Sequence, residues 1–416
     1  MIDEERVQYQ VLNACSIFLG EWNRGKNPEL IDEANSVRRV CVDLLSNYFR
    51  YRGFIRKLLS RFVGKRKLDG QVRNILELSI TQLVFQTGIS HFHAVNASVD
   101  FMKTKNGSAS SFINGVLRNF CRNHETLFGL GAAGLKSYYK KNYNLLFLGQ
   151  ELYSSYNRKF DKDELLNQIS ILESEASLSL RLQNAEMEIP DYCTEFKPEL
   201  EIGTQRVFHC SDATKFFGDG GVGFFVQDAT TLVAANLVEV TGDNLVIGDF
   251  CAAPGGKSVF IAEQLSESSK LISCDKNKLR LKQLKENLAI FKQVEVKEND
   301  ALKPSFAKAS FDCVLLDVPC SNSGVVRKRP DVKWRFSKAV VTKLSKLQFE
   351  IFAKTLPLIK SGGSIVYSTC SIDPEENKLQ VERILEKFTQ CSLVKEYETI
   401  PTKDYDGGYA ALIRIK

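Results

Sequence analysis

The chain of 416 residues reads as multidomain: an all-α bundle over 1–130, a small α+β connector over 131–222, and an α/β unit over 223–416 whose sheet is mostly parallel. Three observations predict this division. Apolar residues recur at intervals of three and four through the first 130 positions, short apolar runs alternate with helical stretches after Gly223, and a glycine-rich turn follows an early run of that second series. Length agrees, since a domain takes roughly 100–200 residues and two to four units are expected.

In the first unit the series are Val7, Val11, Ala14, Phe18, then Val37, Cys41, Leu44, Tyr48, then Val72, Leu76, Ile80, Leu83. Each puts its apolar side chains on one helical face, which needs a partner helix to cover it. The last segment runs from Ala94-Val95-Asn96-Ala97 to Phe112-Ile113-Asn114-Gly115-Val116-Leu117-Arg118-Asn119-Phe120 and contains Asn-Gly, ordinarily a turn signal. The series Phe112, Val116, Phe120 argues that the helix runs through it. This Ala-x-Asn and Phe-x-Asn-Gly-Val-Leu pattern resembles the close of the bundle in the NusB family of RNA-binding helical domains. The resemblance covers 1–130 and implies an RNA-binding function for it.

In the connector, Gly131-Ala132-Ala133-Gly134 reads as a linker and Tyr138-Tyr139-Lys140-Lys141 as charged surface, while Ser177-Leu178-Ser179-Leu180-Arg181-Leu182 alternates as a strand does. From Gly223-Phe224-Phe225-Val226-Gln227-Asp228 onward the pattern changes. Leu245 to Asp249, Leu271 to Cys274, Val294 to Val296, Phe311 to Asp317 and Ser364 to Ser368 are strand-length runs, with helical series such as Leu281, Leu284, Leu288, Phe291 between them. Such alternation builds a sheet wound with helices on both faces, and ligands bind at the carboxyl ends of its strands.

The net charge of +6 is unevenly spread: 21 Lys+Arg against 12 Asp+Glu in 1–150, 7 against 18 in 151–250, and 28 against 20 in 251–416. Basic units on both sides of an acidic one suit a polyanionic partner, although lysines solvating helix faces produce the same count. No run approaches the roughly 18 apolar residues that span a bilayer. The acidic start Met1-Ile2-Asp3-Glu4-Glu5 has the wrong charge for a signal peptide. A cytoplasmic monomer with no membrane partner is expected. Eleven scattered cysteines without a C-x-x-C pair predict reduced thiols and neither a metal site nor a disulfide framework.

The turn is Asp249-Phe250-Cys251-Ala252-Ala253-Pro254-Gly255-Gly256-Lys257-Ser258. Small residues and two glycines let a backbone approach a ligand and turn into a helix with free N–H groups. Asp275 ends the next strand, where a carboxylate can reach ribose hydroxyls. Asp300 lies past the third strand, where an adenine edge would fall, and Asp317 ends the fourth. Gly256-Lys257-Ser258 also ends a phosphate-binding P-loop, but that motif needs glycine where Cys251 stands. The G-x-G-x-x-G of NAD sites is absent from the turn.

With the Val226-Gln227-Asp228 lead-in, Asp317-Val318-Pro319-Cys320-Ser321, and Ser368-Thr369-Cys370-Ser371 followed by Pro374-Glu375-Glu376-Asn377, the turn resembles that of the S-adenosylmethionine-dependent RNA 5-methylcytosine methyltransferases, the Sun/Fmu group of the Nop/Sun family. The likeness runs from about Gly223 to the C-terminus. It implies a Rossmann-like methyltransferase domain that holds S-adenosylmethionine with Cys251, Ala252, Ala253, Pro254, Gly255, Gly256, Lys257, Asp275, Asp300 and Asp317. It also implies RNA as partner, with one cytosine of small-subunit (16S) rRNA as target. Carbon 5 of cytosine is too poor a nucleophile to take a methyl group from a sulfonium unaided, and a thiolate adding to carbon 6 makes it enamine-like. The resemblance assigns that attack to Cys370 and release of the carbon-5 proton to Cys320. Asp317 has two possible duties, orienting the donor or hydrogen-bonding the cytosine's amine and ring nitrogen, and the second is favoured. Histidine offers no local base, since His91, His93, His124 and His209 all precede the turn. An ordinary thiol is only a few per cent ionised at pH 7, a cost of roughly 2 kcal/mol that nearby cations can offset.

The run Arg327-Lys328-Arg329-Pro330-Asp331-Val332-Lys333-Trp334-Arg335 follows Cys320 closely. Arg327, Arg329 and Lys333 could grip phosphates and Trp334 could stack on a base; the alternative is a solvated loop with Trp334 packed in a core. Cys274 and Cys313 sit within strands as small hydrophobes. Two departures from the family pattern stand out. Asn322-Ser323-Gly324 replaces Gly-Thr-Gly, and asparagine is the non-glycine best suited to left-handed backbone. Asp406-Gly407-Gly408-Tyr409 replaces Asp-Gly-Phe-Phe and predicts weaker aromatic packing there. Rival functions are the same chemistry on tRNA, or a non-catalytic ribosome-assembly factor with a vestigial enzyme half.

Overall fold

Among the described residues, five helices form the N-terminal part: α1 (Glu4–Trp22), α2 (Asn35–Val63), α3 (Gly70–Phe85), α4 (His91–Lys105) and α5 (Gly107–Phe128). The structure is a computed structural model that describes residues 4–26, 28, 30, 35–86, 89–128 and 148–416. The linker and charged-surface readings at 131–134 and 138–141 lie outside the described residues. Asp69 and Ser90 cap α3 and α4, accepting from the amides of Gln71 and His93. Helix α3 touches all four others and is buried along most of its length, so Val72, Leu76, Ile80 and Leu83 form the centre of the core. The helix does run through Asn114-Gly115; the break falls at the other Asn-Gly pair, Asn106-Gly107, between α4 and α5.

The residues divide into two compact units, Met1–Tyr153 with Lys333–Arg335, and Ser154–Val332 with Phe336–Lys416. In the first, Trp334 packs against the helical core and its indole N–H donates to the carbonyl of Phe49 at 2.6 Å.

The second unit holds two sheets. Strands β1 (Leu178–Leu182), β2 (Cys193–Phe196), β3 (Val207–Cys210) and β4 (Phe224–Val226) make an antiparallel sheet in the order β2-β3-β1-β4. The strand that opens the α/β stretch of the sequence thus completes the connector's sheet. Arg181 of β1 is fully buried because Glu263 grips its guanidinium at 2.6 and 3.1 Å and Gln227 accepts from its Nε at 3.0 Å.

The larger sheet contains β5 (Val246–Phe250), β6 (Lys270–Asp275), β7 (Val294–Glu298), β8 (Phe311–Asp317), β9 (Ile359–Thr369), β10 (Cys391–Thr399) and β11 (Gly408–Ile415), in the order β10-β11-β9-β8-β5-β6-β7. The five strands from β9 to β7 are parallel, and β11 and β10 are antiparallel additions at one side. Chain order reverses between β5 and β8, which opens the crevice where ligands of doubly wound sheets bind. Leu281, Leu284 and Leu288 bury one face of the helix Lys278–Leu288, as their spacing requires.

Candidate active site

Strands β8 and β9 are neighbours in register, with Asp317 beside Ser368. Cys320 lies three residues beyond that rung and Cys370 two, so the chain turns that follow bring the two sulfurs together at 3.2 Å as free thiols. Cys320 is buried and Cys370 half-buried. The hydrogen bond to Cys370 and then burial hold the Cys320 thiol well above its ordinary pKa. It therefore keeps its proton.

A buried polar network positions both. Glu376, with no exposed surface, accepts from the Ser321 amide at 2.9 Å, the Ser371 hydroxyl at 2.7 Å, Gln348 at 3.0 Å and the Ser321 hydroxyl. Burial raises the pKa of Glu376, and these donors work against the rise. Asn377 accepts from the Thr369 hydroxyl at 2.6 Å and donates to the Ser371 carbonyl at 2.8 Å. Tyr367 donates to the Glu376 carbonyl at 2.6 Å. In sequence Pro374-Glu375-Glu376-Asn377 reads only as part of a motif; three polar residues in a row shortly after Cys370 were the available signal for a structural carboxylate. Gln348, in mid-helix Lys338–Thr355, gives no such signal.

The turn after β5 is built for close approach. Cys251 and Gly255 have φ of 64° and 110°, and a Cβ at Gly255 would meet Leu284 at 2.8 Å, so glycine is required there. Gly255 caps the helix Gly256–Gln264 without a side-chain bond, leaving its first N–H groups pointing out of the turn. Asp275 accepts from Asn277 at 2.8 Å and Ala253 at 3.3 Å, clamping the second strand to the turn. Asp300 accepts from the amide of Leu302 at 3.0 Å. Asp249 is fully buried; Ser258 donates to one oxygen, while the other has no partner. Burial pushes its pKa up to about 7, against the Ser258 hydrogen bond. An orphaned carboxylate oxygen beside free helix N–H groups and a glycine cradle fits a ligand that carries both an ammonium and a carboxylate, as S-adenosylmethionine does. Cys251, by contrast, is pushed up to about 12 by burial and then by Asp275, and is inert.

Lys257 joins the two halves of the site. Its ammonium meets Asp317 at 2.7 Å. Burial opposes its charge, but Asp317, Cys370 and Asp249 outweigh burial and raise its pKa. Lys257 and Cys370 line one cavity of about 40 Å³, with Asp228, Thr230, Asp406 and Gly407 on other walls. Asp228 and Asp406 share Lys328 as a counter-ion.

The segment expected to bind RNA is placed otherwise. Arg327 is 3% exposed and donates to the Lys403 carbonyl at 2.8 Å, and Lys333 is 0% exposed and donates to the Arg50 carbonyl at 3.4 Å. Neither can reach a phosphate. Trp334 is committed to the helical core, the alternative reading of that residue. Arg329 keeps its side chain half exposed beside Asp331. Asn322 does adopt left-handed backbone, with φ of 60°. Aromatic packing near the C-terminus survives the loss of Phe-Phe, since Tyr409 is buried edge-on against Tyr367. Cys274 and Cys313 are buried, and burial pushes them up to about 12 and about 11.

A seven-stranded sheet with five parallel strands, a glycine turn after the middle one of those five, acidic residues at the strand ends and an antiparallel last pair defines a Rossmann-like methyltransferase. Residues 236–409 match the family described as 16S rRNA methyltransferase RsmB/F, and residues 9–122 match the NusB family. The ribosomal RNA small subunit methyltransferase B of Serratia proteamaculans is 30% identical over 374 residues, covering 86% of this chain and 83% of that one. That of Vibrio vulnificus is 29% identical and covers 98% and 97%. Among solved structures, PH0851 superposes with a TM-score of 0.72 at 20% identity over 99% of both chains. NSun6 from Pyrococcus horikoshii gives 0.53 at 19%, covering 64% of this chain and 98% of that one. The chain belongs to the RsmB/F family of S-adenosylmethionine-dependent rRNA methyltransferases, with a NusB domain ahead of the catalytic one. Among the described residues no helix is long and apolar enough to cross a membrane.

Proposed function

We propose that this protein forms 5-methylcytosine in small-subunit (16S) rRNA, as a cytoplasmic monomer, with Cys370 as nucleophile. The observation that carries the reading is the pair of sulfurs 3.2 Å apart on the turns that follow the neighbouring strands β8 and β9, one of them sharing a cavity with Lys257 of the cofactor turn. The names of the relatives support the substrate.

Bound S-adenosylmethionine supplies the methyl group as an electrophile, and the turn from Cys251 to Lys257 with Asp249, Asp275 and Asp300 would hold it. The chain's own residues do the rest. The Cys370 thiolate adds to carbon 6 of the cytosine, and the electrons of the carbon 5–carbon 6 double bond move to carbon 5, which can then take the methyl group. Asp317, paired with Lys257, would accept from the ring's exocyclic amine. Once the Cys370 sulfur is bonded to the ring, the first cause holding the proton on Cys320 is gone and that thiol ionises more readily. As a thiolate it takes the proton from carbon 5, the carbon 6–sulfur bond breaks, and Cys370 departs as thiolate. The target base must leave any stack to enter, at a cost of about a few kcal/mol.

Incubation with labelled methyl donor and small-subunit rRNA should place label on cytosine carbon 5. Label on an amine or a ribose would reject the assignment.

A further inference from the structure

One contact in the site belongs to a residue that departs from the family pattern. Asn322 stands where glycine is usual, and its carboxamide bridges the two cysteines: Nδ2 donates to the Cys320 carbonyl at 3.0 Å and Oδ1 accepts from the Cys370 thiol at 3.0 Å. Left-handed backbone at φ of 60° turns the side chain back over its own loop. Gly324, whose Cβ would strike the Gly407 carbonyl at 2.4 Å, donates to the Cys370 carbonyl at 3.0 Å and closes the loop on the nucleophile's backbone.

We propose that Asn322 is a positioning residue for the nucleophile, holding the Cys370 sulfur between its own carboxamide oxygen and the Cys320 sulfur. The proposal rests on Cys370 being the nucleophile. A sulfur held from two sides at 3.0 and 3.2 Å has one resting rotamer, whereas a sulfur held from one side can swing. Misplacing a reacting atom by about 1 Å costs up to about a hundredfold in rate. The Cys370 S–H donates to Oδ1, so losing that contact should leave the sulfur more open to a small reagent while spoiling its aim. Those two effects have opposite signs. The other titratable groups around that sulfur are Lys257 with Asp317 behind it, Cys320, Asp228 and Asp406 with Lys328, and Tyr397 and Tyr409. Asn322→Gly removes none of these side chains.

The test uses the full chain with Asn322→Gly, which keeps the left-handed turn, and Asn322→Asp, which keeps shape and acceptor but adds charge. Methylation is measured together with alkylation of Cys370 by iodoacetamide, located by mass spectrometry. Asn322→Gly should lower kcat about tenfold with KM for RNA and donor unchanged. The same variant should alkylate about threefold faster, because no carboxamide then engages and covers the sulfur. Asn322→Asp should alkylate more slowly than the parent, which separates loss of the acceptor from mere opening of space. Any other pairing, whether wild-type values in both assays or parallel loss of both, overturns the proposal. If the parent enzyme labels no RNA, the catalytic reading fails on its own, and the alkylation order among the three proteins still decides whether the contact controls the sulfur.

Discussion

The helical bundle and the pair of loops carrying Cys320 and Cys370 are both buried, yet they are held by opposite means. The bundle is packed by apolar faces around α3, and its few buried polar groups pair locally, as Tyr48 does with Glu77 at 2.7 Å and Ser79 with Ser98 at 2.7 Å. The cysteine loops are held by Ser321, Ser323, Ser371, Gln348 and Asn377 gathered around one carboxylate, Glu376. Apolar contacts are non-directional and set stability; hydrogen bonds at low dielectric are directional and set position. A site that must aim one sulfur at one carbon has reason to use the second.

Experiments can break or sharpen that contrast. The largest effect belongs to the reacting atom: Cys370→Ala should abolish both methylation and any covalent RNA adduct, while Cys320→Ala should accumulate the adduct on denaturing gels. An adduct that persists in Cys370→Ala would reverse the two roles. Next comes Glu376→Ala, which strands four donors and should cut kcat by about a hundredfold by letting the sulfurs drift. Unchanged kcat there would show that the network is scaffolding without influence on aim. A cavity in the bundle is the converse case. Leu76→Ala should lower unfolding stability by about 2–5 kcal/mol, read by denaturant titration, and leave iodoacetamide capture of Cys370 unchanged.

The smallest effect concerns pH. Asp249 is an acid whose pKa is raised from 3.8 to about 7 in the fold by burial, so the folded protein holds its proton more tightly than the unfolded chain does. Its contribution to stability is complete below about pH 4 and is lost as pH rises to about 7. Asn at that position cannot ionise. Asp249→Asn should therefore flatten this stretch of a plot of Tm against pH, and an unchanged slope would place the titration elsewhere.

Much of the architecture was legible because it follows from periodicity. The heptad-like series of α1 to α3 and the alternation of strands and helices after Gly223 each have one low-energy way to hide their apolar faces. The final pair, β10 and β11, was not anticipated, since nothing local states that a strand joins an existing sheet antiparallel. The two Asn-Gly pairs make the same point: one breaks the chain between α4 and α5 and the other passes unnoticed within α5, decided by the packing of Val116 and Phe120. Arg327 and Lys333 look like surface cations in sequence, yet carbonyl oxygens and Asp406 bury them.

By itself the sequence determined the kinds of element, the turn that must lie close to a ligand, and the two thiols, because spacing and residue chemistry are local properties. The tertiary structure alone decided that those thiols meet, that Glu376 and Asn322 hold their loops, and that Arg327 and Lys333 of the basic run face inward. Distances between groups fifty residues apart depend on strand register and on which buried polar atoms find partners, and both are settled only when the whole core closes.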